Sequence, residues 1–427
     1  MTNNLHENKI YVGVFGSSIS EAGLKNINEY NYKSGGYTFL DSKMNPFWEF
    51  IAYKIPENVS PNLLTILGFL CSLIAILLTM NVSPMLDNII PLESSIIISV
   101  LLFIYQTLDA ADGKHARRLN ISSPLGQLLD HGLDSYTTIF FSTIFCASCN
   151  LGWNYTFFVF ISIVQFKMFS FIWLECHCKI FRCSSSDYLG VTESQFIVIF
   201  TTIYSSMGSP NILFRPIFQD ISTIDIIILI MIAIGIFTLV NDILSGIGEL
   251  KSRKSVKIAC LEICGIMCHL LFQFLFLCSN TYKTFPLTTM FVLTTSSSII
   301  ALRMNVSSFT LEELPFVHWP ALPFYISSVL LLFGNILFDH FLDVQLIILL
   351  IVAIWNTMYT IDFALVTIQS ICMHLNISLF ATKSVTNSSS DNTICNYGNS
   401  VRSTKARMEG SKVQLSTSRS LKKNHRD

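Results

Sequence analysis

Long apolar runs separated by short polar stretches set the pattern of this chain. They recur about ten times, at 62–81, 94–111, 134–150, 153–174, 192–207, 223–244, 257–278, 286–304, 322–338 and 344–368. Each approaches the ~20 residues that a helix needs to cross a bilayer; the third, fifth and ninth are the shortest. The runs are continuous and rich in Ile, Leu and Phe, which predicts helices rather than the alternating strands of a barrel. The expected fold is all-α, a polytopic integral membrane helical bundle. Ahead of the first run, residues 40–56 bring Phe47, Phe50, Ile51 and Lys54 within helical reach around Trp48 and Tyr53. This predicts an interfacial amphipathic helix whose first turn Pro46 breaks. Residues 1–39 are mostly polar, and 381–427 turn to Ser, Thr, Asn and nine basic residues against three acids, the composition of a disordered basic tail.

Composition agrees with a membrane protein: 51% of the 427 residues are hydrophobic, only 13% are charged, and the mean hydropathy is +0.54. No apolar signal-peptide core opens the chain, so the first run is expected to direct insertion and leave the N-terminus cytosolic. With ten spans both termini share that side. The inside loops then hold Lys114, Arg117, Arg118, Lys179, Arg182, Lys251, Arg253, Lys254 and Lys257, against only Arg215 and Lys283 outside. That bias follows the positive-inside rule. A net charge of −1 gives no footing for a nucleic-acid partner.

Most of the twelve cysteines fall inside apolar runs, which argues against disulfides. Cys260, Cys264 and Cys268 repeat every four residues and predict one face of small side chains for close helix packing. The run Glu175-Cys176-His177-Cys178 with Cys183 matches no zinc-module spacing. Glu312, Glu313, His318, Trp319 and Asp242 belong to no motif and read as interfacial anchors.

The candidate chemistry lies between the second and third runs, in Asp109-x2-Asp112-Gly113-x2-Ala116-Arg117-x8-Gly126-x3-Asp130-x3-Asp134. Spacings of three and four put each Asp pair on one helix face, and Asn120-Ile-Ser-Ser-Pro124 reads as a turn with Ser122 or Ser123 capping the second helix. The motif is therefore a helical hairpin. Acids at a membrane edge repel one another and are costly unless cations share them. Hard oxygen ligands without a thiol fit Mg²⁺ or Mn²⁺, and a two-metal site suits phosphoryl transfer. Gly113, Ala116 and Gly126 leave room for a ligand or a facing helix. Lys114, Arg117 and Arg118 offer donors for a pyrophosphate, with membrane anchoring the competing reading of Lys114 and Arg118.

This arrangement resembles the CDP-alcohol phosphatidyltransferase family (class I) at every fixed position of its signature. The string Asp112-Gly-Lys-His-Ala-Arg-Arg-Leu-Asn-Ile-Ser-Ser-Pro-Leu-Gly-Gln-Leu-Leu-Asp-His-Gly-Leu-Asp-Ser135 is similar to the choline/ethanolamine phosphotransferase branch, with His115 in place of Gln. Tyr32-Lys33, Pro61-Asn62-Leu63-Leu64-Thr65 and Val191-Thr192-Glu193-x-Gln195 extend the likeness over roughly 30–200. Trp173-Leu174-Glu175-Cys176-His177 departs from the branch's His-Trp-Glu-like segment.

The resemblance implies a catalytic core over 57–207, with further spans over 208–380. It implies transfer from CDP-choline or CDP-ethanolamine to the 3-hydroxyl of diacylglycerol, in endoplasmic reticulum or Golgi membrane with the active site facing the cytosol, and it is compatible with a homodimer. By position, Asp109, Asp112 and Asp130 are expected as metal ligands, and Asp134 as a further ligand or the base. His131 is the other candidate base. Glu193 would activate or position the acceptor, or else serve as a helix N-terminal charge. Gly113 and Ala116 would contact the nucleotide, Arg117 and Lys114 its phosphates, and Asn62 and Thr65 the cytidine. The alternatives are a sibling acting on inositol or glycerol phosphate, and a polytopic cation transporter, whose acids would be spread through several helices near the midplane.

Overall fold

The computed structural model describes residues 11–30, 36–179, 184–186, 188–207, 216–218, 221–250, 253–334 and 341–382. Tyr32, Lys33, Arg182, Cys183, Arg215, Lys251 and the basic tail lie outside the described residues.

The order of elements is α1 (Glu21–Ile27), α2 (Phe39–Lys54), α3 (Pro61–Val82), α4 (Leu92–Leu119), α5 (Pro124–Ser148), α6 (Tyr155–Cys178), α7 (Val191–Ser206), α8 (Thr223–Glu249), α9 (Arg253–Cys278), α10 (Pro286–Thr310), α11 (Leu322–Leu332) and α12 (Phe341–Leu375). Two minimal antiparallel ladders, Ser184–Ser186 with Leu189–Gly190 and Pro216–Phe218 with Ile221–Ser222, precede α7 and α8. Every expected run overlaps a helix, the ninth of them only over Leu322–Leu332, with 335–338 outside the described residues. Among the described residues seven helices are long and apolar enough to cross a membrane: α3, α4, α6, α8, α9, α10 and α12. The other three runs fall on α5, whose first half is the polar motif, and on α7 and α11, which have only 16 and 11 residues.

Local chemistry sets the helix ends that matter for the site. Asn120 takes the left-handed conformation (φ 57°) that ends α4. Ser123 Oγ accepts from Gly126 N at 3.3 Å, and Pro124 occupies the first turn of α5. The hairpin turn is as expected, with Ser123 as the cap.

Helix α2 differs from expectation. A capping box between Thr38 and Asp41 starts it at Phe39, and it runs through Pro46 without ending. Its buried face, Trp48 and Ala52, packs on α4, while Phe47, Phe50 and Tyr53 point outward.

Helices α3, α4, α5 and α7 pack together, and α10 lies against α5, α6 and α12. In its most apolar stretch α10 is 78% buried, against 17% for α8. Its Ser and Thr side chains make this compatible: Thr294, Thr295, Ser297 and Ser298 return their hydroxyls to carbonyls of the preceding turn, leaving a slim helix. The cysteine stripe of α9 is a correction. Cys260 and Cys264 are exposed, and packing instead uses the face carrying Ala259, Ile266 and Phe276.

Candidate active site

The last turns of α4 and the first turns of α5 bring Asp109, Asp130 and Asp134 together, each offering an oxygen within 4.8 Å of the others. At that spacing two unit charges repel by about 3.5 kcal/mol or more with an effective dielectric near 20. Asp130 Oδ1 is buried with no hydrogen-bond partner among the described residues. An orphaned buried carboxylate oxygen within an all-oxygen donor set fits a divalent cation.

The trio is drawn from the four acids expected as ligands. Asp112, the fourth, accepts from Thr65 Oγ1 of α3 at 2.5 Å and stays within electrostatic reach of Asp130. Tyr105, which the sequence reading missed, donates to Asp134 Oδ1 at 2.7 Å and lies 2.9 Å from Thr137 Oγ1. The available signal was its place four residues before Asp109, on the same face of α4.

Small residues open the approach. The Arg117 guanidinium folds back along α4 over Gly113, where a Cβ would lie 3.4 Å from Nη1. Arg117 is exposed, and among the described residues its guanidinium has no hydrogen bond or ion pair. Ala116, one residue earlier, is partly exposed. A Cβ at Gly126 would meet Asn62 Oδ1 at 3.4 Å, which lets α3 come close to the start of α5.

Several expected substrate contacts have structural partners. Lys114 Nζ donates to Asn45 Oδ1 at 2.6 Å and stands over the rings of Tyr37 and Trp48. Arg118 donates to the carbonyls of Tyr53 (2.5 Å) and Ile55 (2.7 Å). Both cations therefore hold α2 on α4. His115 is fully buried, with Nε2 2.9 Å from the Val59 carbonyl. Asn62 donates to the Leu379 carbonyl at 2.6 Å, fastening the segment after α12, and Thr65 serves Asp112. Glu193 is not among the gathered acids: its oxygens accept from Gly190 N at 2.9 Å and Leu40 N at 3.4 Å, capping α7 and linking it to α2. His131 is buried, within electrostatic reach of Asp134.

The segment that departs from the branch pattern contributes a second acidic feature. Glu175 is buried, and its Oε1 accepts from Gln127 Nε2 at 2.6 Å and from Tyr30 Oη at 2.5 Å, while Oε2 has no partner among the described residues. Gln127 precedes Asp130 by one turn, so this carboxylate sits beside the hairpin. The neighbouring side chains diverge: Cys176 reaches the Met304 carbonyl, and His177 pairs with Glu262 at 2.7 Å.

Residues 58–248 match the CDP-alcohol phosphatidyltransferase family. Cholinephosphotransferase 1 of Gallus gallus is 34% identical over 194 residues, which is 45% of this chain and 57% of that protein. Cholinephosphotransferase 1 of Homo sapiens is 31% identical over 191 residues, 44% of this chain and 46% of that protein. An uncharacterized CDP-alcohol phosphatidyltransferase class-I family protein 2 of Dictyostelium discoideum is 31% identical over 195 residues, 45% and 47% of the two chains. The matched stretch thus spans about half the length of these relatives.

Proposed function

We propose that the protein moves phosphocholine or phosphoethanolamine from CDP-choline or CDP-ethanolamine to diacylglycerol, a reading supported by the match of residues 58–248 to the CDP-alcohol phosphatidyltransferase family and, among the described residues, by seven helices long and apolar enough to cross a membrane. The acceptor's 3-hydroxyl forms a bond to the β-phosphorus, the bond to the bridging oxygen breaks, and CMP leaves. The products are phosphatidylcholine or phosphatidylethanolamine. The observation that carries this reading is the trio of Asp109, Asp130 and Asp134 beside an uncommitted Arg117.

Mg²⁺ or Mn²⁺ held by that trio, with Asp112 completing the set if two ions bind, would neutralise the pyrophosphate and polarise the phosphorus under attack. Arg117 binds the pyrophosphate with its planar fork, and Gly113 keeps the guanidinium close to the helix. Tyr105 and Thr65 orient Asp134 and Asp112, as outer-shell donors do. The hydroxyl proton passes to Asp134 or His131. Glu175, with one oxygen unpartnered, supplies a buried counter-charge for the amino-alcohol's ammonium. The nucleotide enters from the cytosol, and the diglyceride arrives laterally within the endoplasmic reticulum or Golgi membrane.

The test is incubation of membranes containing the protein with diacylglycerol, Mg²⁺ and labelled CDP-choline or CDP-ethanolamine. Labelled phospholipid and an equal amount of CMP are expected. No labelled lipid from either donor would overturn the proposal.

A further inference from the structure

A cavity of about 220 Å³ lies apart from the acidic hairpin, between the segment before α1, the end of α10, the α10–α11 connection and α12. Helix α10 separates the two sites: Leu302 faces Gly132 of α5, whereas the next residue, Arg303, lines the cavity. The packing of Val306 and Phe309 with Leu125 and Leu128 puts the cavity at the hairpin's end of the bundle.

The roof is a built feature. Asp362 of α12 accepts the backbone N–H groups of Val14 (2.9 Å) and Phe15 (3.1 Å), and Glu312 accepts that of Ser20 (2.9 Å). A side chain at position 13 would force Val366 and Asp362 to shift, since a Cβ there would fall 2.4 Å from the one and 2.6 Å from the other.

Two kinds of recognition chemistry meet inside. Arg303 is half-buried, donates to the neutral Tyr359 hydroxyl at 2.9 Å and stacks on Phe363 at 6.0 Å. Among the described residues no carboxylate lies within ion-pair distance of it, and its Nε has no acceptor. A half-buried guanidinium without an anion is costly, which points to an anionic ligand group. Ser18 Oγ, buried and unpartnered, lines the same space. Opposite in character, three rings converge on the cavity: Phe15 lies 5.4 Å from Tyr359 and 6.4 Å from Trp319, and Trp319 meets Tyr359 edge-on at 5.6 Å. Glu313 is exposed at the rim. Aromatic faces beside a carboxylate are the recognition chemistry of an organic ammonium.

We propose that this cavity binds the zwitterionic phosphate–ammonium headgroup of a membrane lipid, with the phosphate on Arg303 and Ser18 and the ammonium against Phe15, Trp319 and Glu313. The volume is below the ~300–1,000 Å³ of pockets for drug-sized ligands, so it suits a headgroup and not a nucleotide. The source is argued from the rim, where Phe316, Val317, Trp319 and Leu322 are 47%, 47%, 43% and 42% exposed. Such a row belongs at the headgroup level of a bilayer.

Native mass spectrometry of the full-length, detergent-solubilised protein titrated with phosphatidylcholine tests this. Saturable binding is expected to persist in Asp130→Asn, which alters the hairpin only. It is expected to weaken about tenfold in Arg303→Gln and in Trp319→Ala, as for loss of a charge-assisted bond or a desolvated cation–π contact. Phosphatidylglycerol, lacking the ammonium, should bind more weakly than phosphatidylcholine, with the difference shrinking in Glu313→Gln. Should Arg303→Gln fail to fold, Trp319→Ala and Glu313→Gln decide. Unchanged phosphatidylcholine affinity in the folded variants would overturn the site, and soluble phosphocholine binding as tightly as the lipid would overturn the lipid assignment.

Discussion

Removing one oxygen atom at Tyr105 probes how the acidic trio is held. The hydroxyl lies 2.7 Å from Asp134 Oδ1, and the ring is 4% exposed and packs against Phe141 at 5.3 Å. Tyr105→Phe keeps that packing and deletes the donor. A hydrogen bond to a charged group contributes about 1.5–3 kcal/mol, or roughly 10–150-fold in the equilibrium it supports. Loss of an outer-shell donor typically costs 10–100-fold in metal affinity. Transferase activity measured against Mg²⁺ concentration should therefore show an activation curve displaced to at least about tenfold higher Mg²⁺, with most of the rate recovered at saturation and little change in donor KM. An unchanged activation curve together with an unchanged rate would refute the assignment of Tyr105 as the group that positions Asp134.

Thr65→Val deletes the donor to Asp112 and should reduce turnover by about tenfold or more, with the protein still inserted in the membrane; wild-type kinetics would remove Asp112 from the site. Arg117→Lys loses the planar fork and should raise the KM for the CDP-alcohol about tenfold, with a smaller effect on kcat. Glu175→Gln should raise the KM for CDP-choline more than that for CMP in the reverse reaction, because only the former carries the ammonium. Burial first, and Arg303 second, push the His318 pKa down to about 3. The unfolded chain, with an ordinary pKa near 6.5, therefore takes up the proton first as pH falls. That contribution to stability is fully present above pH ~6.5 and lost below it, at about 1.4 kcal/mol per pH unit. Thermal unfolding should show wild type losing more stability than His318→Gln between pH 7 and pH 5.

What could be read from the chain was local. Asp109, Asp130 and Asp134 fall at helical spacings, and Ser123-Pro124 cap their own helix, so the hairpin needs no distant information. The partners of the acids do: Asp112 accepts from Thr65, 47 residues away, and Asp134 from Tyr105, 29 residues away. Tyr105 shares a helix face with Asp109, but that spacing does not say that its hydroxyl reaches Asp134 on the next helix. The cysteine stripe of α9 failed for a related reason: a four-residue repeat defines a face without saying what the face meets. Low hydropathy could not reveal that α10 lies at the centre, since that depends on hydroxyls satisfied within their own helix. Lys114 and Arg118 read in the sequence as phosphate donors or as anchors, and their contacts with α2 depend on a helix some sixty residues earlier that no spacing links to them. The cavity around Arg303 draws on four separated segments, and no motif joins them.

The account rests on a divalent-metal site made by Asp109, Asp130 and Asp134. Mn²⁺ titration of the purified, detergent-solubilised protein, followed by electron paramagnetic resonance, addresses it without relying on turnover. Saturable Mn²⁺ binding is expected in the wild type, competed by Mg²⁺ and lost in both Asp109→Asn and Asp130→Asn. Absence of saturable binding in the wild type, or binding of equal strength in those two variants, would contradict the account.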